Sequence, residues 1–121
     1  MPEQERRGAP RYSVTLDAQT TDLITRSVIK LRCSDISLSG CYLDTLNPVD
    51  PGTPLWVRVE HSDRVFEAQA RVAYAVPRLG MGVEFAQPIP EEQLAVLKEW
   101  IAEAVALSQP LSSSFGVGAL R

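Results

Sequence analysis

The chain has 121 residues, of which 45% are hydrophobic and 22% are charged, and its formal net charge is −3. This length fits one domain, no apolar run approaches the roughly 20 residues that a membrane-spanning helix needs, and the charged start has no apolar stretch typical of a signal peptide. The acidic balance argues against a general nucleic-acid binder, so we expect a cytoplasmic protein with no membrane insertion and no DNA or RNA partner.

The first eleven residues are predicted to be a flexible N-terminal loop. Ten of the twelve basic residues in the chain are arginines, and Arg6, Arg7 and Arg11 fall in this loop with a glycine and a proline between them. Arginine is better suited than lysine to bidentate contacts with phosphate and guanine, and its flat head group can stack on a base. The cluster therefore suggests a defined anionic ligand, although a solvated charged terminus also explains it.

Between residues 12 and 85 apolar and polar residues alternate with the period of half-buried strands. We predict six strands, the first over residues 12–17, while residues 18–27 stay ambiguous between strand and turn. In the longest strand the alternation places Tyr74 on the same inward face as Phe66. Trp56 alternates outward, and we expect it to pack under the C-terminal helix rather than contact a partner.

After the strands the apolar period changes to that of a helix. Pro90 suits the first helical position, and apolar residues recur at helical spacing from Leu94 to Val105 before Pro110 ends the pattern near Ser108. We therefore predict one domain over residues 12–108 and a flexible Ser- and Gly-rich tail over residues 109–121. Short strands followed by one helix indicate a mainly β fold, either a small barrel or a sandwich, capped by that helix.

The predicted turn between the second and third strands contains Asp35, Ser37 and Gly40. Asp and Ser form local bonds to the backbone and Gly accepts unusual φ angles, so an ordinary hairpin explains these residues. The same residue types also suit a nucleotide site. A carboxylate accepts hydrogen bonds from the N1–H and N2–H₂ edge of guanine, a hydroxyl adds one bond, and glycine lets the backbone approach a ligand.

Together the two segments resemble the PilZ domain family, the bacterial receptors for cyclic di-GMP. The family motif RxxxR is matched in full from Arg7 to Arg11, and [D/N]xSxxG is matched in full by Asp35, Ser37 and Gly40. Gly80–Phe85 also resembles the glycine-containing late strand of these domains. The resemblance covers nearly the whole chain and omits only the tail.

The resemblance implies a six-stranded antiparallel β-barrel with a C-terminal helix that binds cyclic di-GMP on its surface. Arg7 and Arg11 would hold phosphate oxygens and the O6/N7 edge of guanine, and Asp35 and Ser37 would meet the other edge. Gly40 would keep the turn open. An arginine at the position of Arg6 can stack on guanine and favour two intercalated ligands, which would permit a ligand-linked homodimer.

We therefore expect a stand-alone, non-catalytic second-messenger receptor that relays its signal to a downstream protein through ordering of the arginine loop. The alternative is an interaction module of the same family, acting in motility or pilus assembly without binding the nucleotide. A third reading is a barrel for single-stranded nucleic acid, which the negative charge and few outward aromatics disfavour.

Other reactive residues are few. His61 lies in a predicted hairpin loop and no serine or cysteine partner supports a catalytic triad. Cys33 and Cys41 are expected to be buried thiols, although a disulfide between them is geometrically conceivable. With one histidine and two cysteines we predict no metal and no cofactor beyond the ligand cyclic di-GMP.

Overall fold

The computed structural model describes residues 9–108. The predicted arginines Arg6 and Arg7 and the predicted tail over residues 109–121 lie outside the described residues. In the described part of the chain the elements are β1 (Tyr12–Asp22), β2 (Val28–Ile36), β3 (Gly40–Asp44), β4 (Pro54–His61), β5 (Arg64–Val76), β6 (Gly80–Phe85) and α1 (Glu91–Ser108).

The six strands form a closed barrel in the order β1-β2-β3-β6-β5-β4, and every neighbouring pair is antiparallel. This confirms the mainly β fold. Apolar periodicity allowed either a barrel or a sandwich, and the closed sheet shows that the fold is a barrel. Closure also pairs every strand on both sides, so the barrel has no exposed edge. No helix in the described residues is long and apolar enough to cross a membrane.

Alternation fills the barrel interior with apolar side chains. The fully buried ones include Cys33, Leu43, Val57, Phe66 and Val83. Both cysteines are buried free thiols, as expected. The helix α1 packs on β1 and β5 and adds Val96, Leu97 and Trp100 to the same hydrophobic core. The Trp100 ring stands edge-on to Phe66, with ring centroids 6.5 Å apart.

The structure resolves one open question about the strands and contradicts one prediction. Residues 18–22, left open between strand and turn, continue β1 to Asp22, because this second half pairs with both β2 and β4. Trp56 does not pack beneath the helix. It is 39% exposed on the outer face of β4 and donates its indole N–H to a carboxylate oxygen of Glu67 at 3.3 Å.

Irregular pairing at two places turns key side chains outward. The β2–β3 register shifts between Cys33 and Asp35, so that Asp35 faces outward while Ile36 returns to the core. The β5–β6 register shifts between Val72 and Tyr74, and Tyr74 is therefore 45% exposed on the outer face. The predicted inward position of Tyr74 is wrong because an extra residue in one strand reverses the alternation after it.

Candidate ligand-binding site

A cavity of about 590 Å³ lies on the outside of the barrel where the segment before β1 crosses β3, β6 and β5. Four segments of the chain meet there. Its lining residues are Ala9, Pro10, Arg11, Ser39, Gly40, Ala73, Tyr74, Gly82, Val83 and Glu84. The volume is within the range of small-molecule sites.

Arg11 and Asp35, which belong to two different sequence motifs, form an ion pair at this cavity. An Nη1 atom of Arg11 lies 2.7 Å from Oδ1 of Asp35. The side chains are 43% and 28% exposed, so neither is sealed in the barrel. A charge-assisted bond of this length fixes the orientation of both groups, and their free donors and acceptors remain open to a ligand.

Ser37 has a different position from its neighbour in the motif. It is 1% exposed, and its Oγ accepts hydrogen bonds from the backbone N–H groups of Ser39 and Gly40, both at 3.1 Å. The same hydroxyl lies 3.2 Å from the Gly40 carbonyl oxygen, to which it donates. Its hydrogen-bonding capacity is therefore used within the turn between β2 and β3, which it holds in shape.

Gly40 is required by close approach of two strands. A Cβ atom built on Gly40 would fall far inside contact distance of the Val83 carbonyl oxygen on β6. Backbone atoms of a paired strand cannot move aside cheaply, so a larger residue here strains the strand pairing. Gly40 thus brings the turn that carries Asp35 tightly against the strand that forms the cavity floor.

Two tyrosines form an aromatic surface beside the cavity. Tyr42 on β3 and Tyr74 on β5 both flank Gly82 on β6, and their ring centroids are 6.2 Å apart. The Tyr74 ring covers Gly82, where a side chain would collide with it. Partial burial raises the pKa of Tyr42, and the neighbouring Tyr74, Asp44 and Asp35 add to this effect. Tyr42 therefore stays a neutral hydrogen-bonding phenol at physiological pH.

The charge at the rim of the cavity is balanced locally. Glu84 contributes to the lining, and its carboxylate accepts a hydrogen bond from Arg71 at 3.1 Å. Without Arg71 this carboxylate would repel an anion. With the Arg11–Asp35 pair on one side and the Arg71–Glu84 pair on the other, the cavity offers guanidinium donors and carboxylate acceptors to a ligand that carries both kinds of group.

The structure thus brings together Arg11, Asp35 and Gly40 and places Ser37 beneath them. Tyr74 is a site residue that sequence reasoning missed, because its face depends on the irregular pairing after Val72. The glycine opposite it, Gly82, was the available signal, since glycine within a strand indicates close approach of another group.

The only histidine in the chain does not contribute to this cavity, and no metal site is found among the described residues. His61 lies 2.9 Å from a carboxylate oxygen of Glu103 and so connects β4 to α1, away from the cavity. In the described residues no three histidine, cysteine, aspartate or glutamate side chains are grouped as a metal site would require.

Comparison with known proteins gives a family match and several structural neighbours. The family model described as the PilZ domain matches residues 5–103. The PilZ domain of YcgR from Escherichia coli with c-di-GMP superposes with a TM-score of 0.71 at 18% identity, covering 91% of this chain and 99% of that one.

The Bacillus subtilis inhibitor of motility superposes with a TM-score of 0.69 at 18% identity. That match covers 86% of this chain but only 53% of the motility inhibitor, so this chain spans about half the length of that protein. The PilZ domain of CeSA from a cellulose-synthesizing bacterium has a TM-score of 0.61 at 16% identity, covering 84% and 100% of the two chains. No curated protein matches the chain. At these identities the structural neighbours establish the fold.

Proposed function

The chain belongs to the PilZ domain family, and on this basis we propose that it is a non-catalytic receptor for cyclic di-GMP. The observation that carries the proposal is the meeting of Arg11 and Asp35, 24 residues apart in sequence, in an ion pair beside the cavity. Cyclic di-GMP offers the complementary groups, since it combines two phosphates with two guanines.

The two charged side chains suit different parts of the ligand. The Asp35 carboxylate accepts from the N1–H and N2–H₂ edge of guanine, and the Arg11 guanidinium donates to phosphate oxygens or to the O6/N7 edge. Arg7, the other arginine of the motif, is proposed to hold phosphate as well. Tyr74 presents a ring face on which a purine can stack.

We assign Ser37 and Gly40 to the shape of the turn. The Ser37 hydroxyl already bonds the backbone at Ser39 and Gly40, so its contribution to the ligand is to hold Asp35 in place. Structures of YcgR from Escherichia coli and of PlzA from Borreliella burgdorferi in complex with c-di-GMP share this fold. Their ligand supports the proposal for this chain.

Signal output is proposed to come from the segment that carries the arginines. Arg11, in the segment before β1, is bonded to Asp35 on β2, so a ligand that engages both groups inserts between or beside them and shifts this segment. Reorganisation of this segment changes the surface next to the barrel, which a partner protein can detect. Arg6 is proposed to stack on a second intercalated ligand, which predicts two nucleotides per protomer and permits a ligand-linked homodimer.

Isothermal titration with cyclic di-GMP tests the proposal. The Arg11→Ala and Asp35→Ala variants should each bind about 5- to 150-fold more weakly than the unmodified chain, because a good bidentate contact to a base is worth roughly 1–3 kcal/mol. Both should keep nearly all of the folding stability, since an exposed ion pair contributes about 0–1 kcal/mol. Circular dichroism on the same samples checks the fold.

The matched control is Arg32→Ala. Arg32 also pairs with an aspartate, Asp44, across neighbouring strands at 3.4 Å and is exposed, but it does not line the cavity. It should bind cyclic di-GMP as the unmodified chain does. Absence of binding by the folded, unmodified chain would refute the receptor function and favour an interaction module, whereas an equal loss in Arg32→Ala would refute the site.

A further inference from the structure

Glu84 lines the ligand cavity although its charge has the same sign as that of the proposed ligand. Its neighbours on β6, Val83 and Phe85, are buried, so the Glu84 side chain lies on the outer face of the barrel, where it is 44% exposed. A carboxylate accepts hydrogen bonds but donates none, and the two phosphates of cyclic di-GMP are negatively charged acceptors as well. A carboxylate in this cavity therefore favours the ligand only if it contacts the donors, and these lie on the bases.

The residues around Glu84 hold its carboxylate from one side and leave it open on the other. Its partner on β3 is Gly40, and Gly82 lies two residues earlier on β6, so no side chain covers it from these positions. Its partner on β5 is Arg71, whose Nη2 donates to Oε1 of Glu84 at 3.1 Å. Among residues 9–108 no other hydrogen bond engages this carboxylate, so it has acceptor capacity left for a ligand.

The open side of Glu84 adjoins the tyrosine on which a base is proposed to stack. Tyr74 stands over Gly82, where its Cε1 and Cζ atoms occupy the space that a side chain would take. Gly82 and Glu84 are two residues apart on one strand, so they share a face of the sheet and lie about 7 Å apart. A purine stacked on the Tyr74 ring can therefore present one of its edges to the Glu84 carboxylate.

The chemistry of that edge distinguishes the two purines. Guanine presents two adjacent donors, N1–H and N2–H₂, which the two oxygens of a carboxylate can accept together. Adenine has an acceptor at N1, whose lone pair would face the carboxylate, and so offers a single donor beside an unfavourable contact. A carboxylate at this position therefore favours guanine over adenine.

We propose that Glu84 is a second guanine-specific contact, which binds the base that stacks on Tyr74 while Asp35 binds the other base. Arg71 is then a positioning residue, because it holds the Glu84 carboxylate in place and offsets its charge toward the phosphates. The inference rests on the proposed function and deepens it, since it assigns the residue that selects the second base of the same ligand.

The first test is isothermal titration of Glu84→Ala with cyclic di-GMP, for which charge and contact predict opposite results. If Glu84 acted only through its charge, its removal would strengthen binding of an anion. Loss of a bidentate contact to guanine should instead weaken binding about 5- to 150-fold. Circular dichroism on the same sample checks the fold. Unchanged or tighter binding by Glu84→Ala would overturn the proposal.

The matched control is Glu67→Ala. Glu67 is also a partly exposed glutamate bonded to an arginine of a neighbouring strand, Arg58 at 3.2 Å, but it does not line the cavity. This variant removes the same charge and an equivalent ion pair. It should bind cyclic di-GMP as the unmodified chain does, and a loss equal to that of Glu84→Ala would also overturn the proposal.

The second test uses cyclic GMP–AMP, in which adenine replaces one guanine. Its guanine can occupy the Asp35 position and leaves adenine at Glu84, so the unmodified chain should bind it about 5- to 150-fold more weakly than cyclic di-GMP. Glu84→Ala should leave the affinity for cyclic GMP–AMP nearly unchanged, because the guanine contact is already absent in that complex. An equal loss of affinity for both ligands would show that Glu84 does not select the base.

The results separate this proposal from the receptor function on which it rests. If the folded, unmodified chain does not bind cyclic di-GMP, the receptor function and the role of Glu84 are both refuted. If the chain binds it, and Asp35→Ala weakens binding while Glu84→Ala does not, only the role of Glu84 is refuted.

Discussion

At the turn between β2 and β3, two neighbouring residues of one motif have different roles. Asp35 is partly exposed and bonded to Arg11, whereas Ser37 is buried and bonded to the turn backbone. Their residue types predicted a shared site, but not which side chain would face the solvent. That distinction depends on the direction of each Cα–Cβ bond, which the register shift after Cys33 reverses.

Two glycines of the site are expected to respond differently to the same substitution. Gly40→Ala sets a Cβ against the backbone carbonyl of Val83 and should cost roughly 1–3 kcal/mol of unfolding free energy, as overpacking does. Gly82→Ala meets only the ring of Tyr74, which can turn away, so it should reduce cyclic di-GMP binding more than stability. Urea unfolding and isothermal titration measure the two effects. Equal stability losses in the two variants would contradict this assignment.

The two neighbouring free cysteines, Cys33 and Cys41, give a second prediction at the residue scale. Cys41 is buried beside Cys33, and their hydrogen bond together with burial raises the pKa of the Cys41 thiol well above its usual range. Thiolate is the reactive form. We therefore expect Ellman's reagent at pH 8 to label neither cysteine in the folded chain and both after unfolding in urea. Rapid labelling of the native protein would show that the core opens around β2 and β3.

Among the elements, strand alternation predicts most inward residues but fails where pairing is irregular. Phe66 and Val72 lie in the core as predicted, yet Tyr74 leaves it after the register shift. The end of β1 was left open, because residues 18–22 are held in the strand by partners on both sides, and such long-range pairing overrides local propensity. The start of α1 was predictable, since Pro90 and two glutamates are local signals.

Attachment of α1 to the barrel should depend on one tryptophan. Trp100 is 3% exposed and packs against Phe66 and His61, with ring centroids 6.5 Å and 5.7 Å apart. Trp100→Ala should reduce the unfolding free energy by about 3–5 kcal/mol, as large-to-small core substitutions do. Leu107→Ala, on the same helix but exposed, should change it by no more than about 0.5 kcal/mol. Urea denaturation followed by circular dichroism compares them, and equal effects would mean that Trp100 is not the anchor.

For the whole molecule, average charge is a poor guide to the ligand. A net charge of −3 is unfavourable for binding an extended polyanion, but it does not describe the charge at one site, because each described ion pair neutralises its own charges. Composition and apolar periodicity could not predict the order of the strands around the barrel, because strands with the same pattern can close in several orders. The alternation predicted six strands, and the resemblance to a family, carried by two motifs that meet only in the folded chain, added the prediction that they close into a barrel.

Binding of cyclic di-GMP should stabilise the entire domain, because the ligand bridges segments that unfolding separates. A ligand at 100 times its dissociation constant adds about 2.7 kcal/mol to the unfolding free energy, which corresponds to roughly 10 °C in melting temperature for a domain of this size. Thermal unfolding measures the shift. Arg11→Ala at the same nucleotide concentration should lose most of it, whereas Arg32→Ala should keep it. GMP at equal concentration should give little shift, because one GMP carries a single guanine and cannot bridge the site, and an equal shift with GMP would contradict recognition of the cyclic dinucleotide.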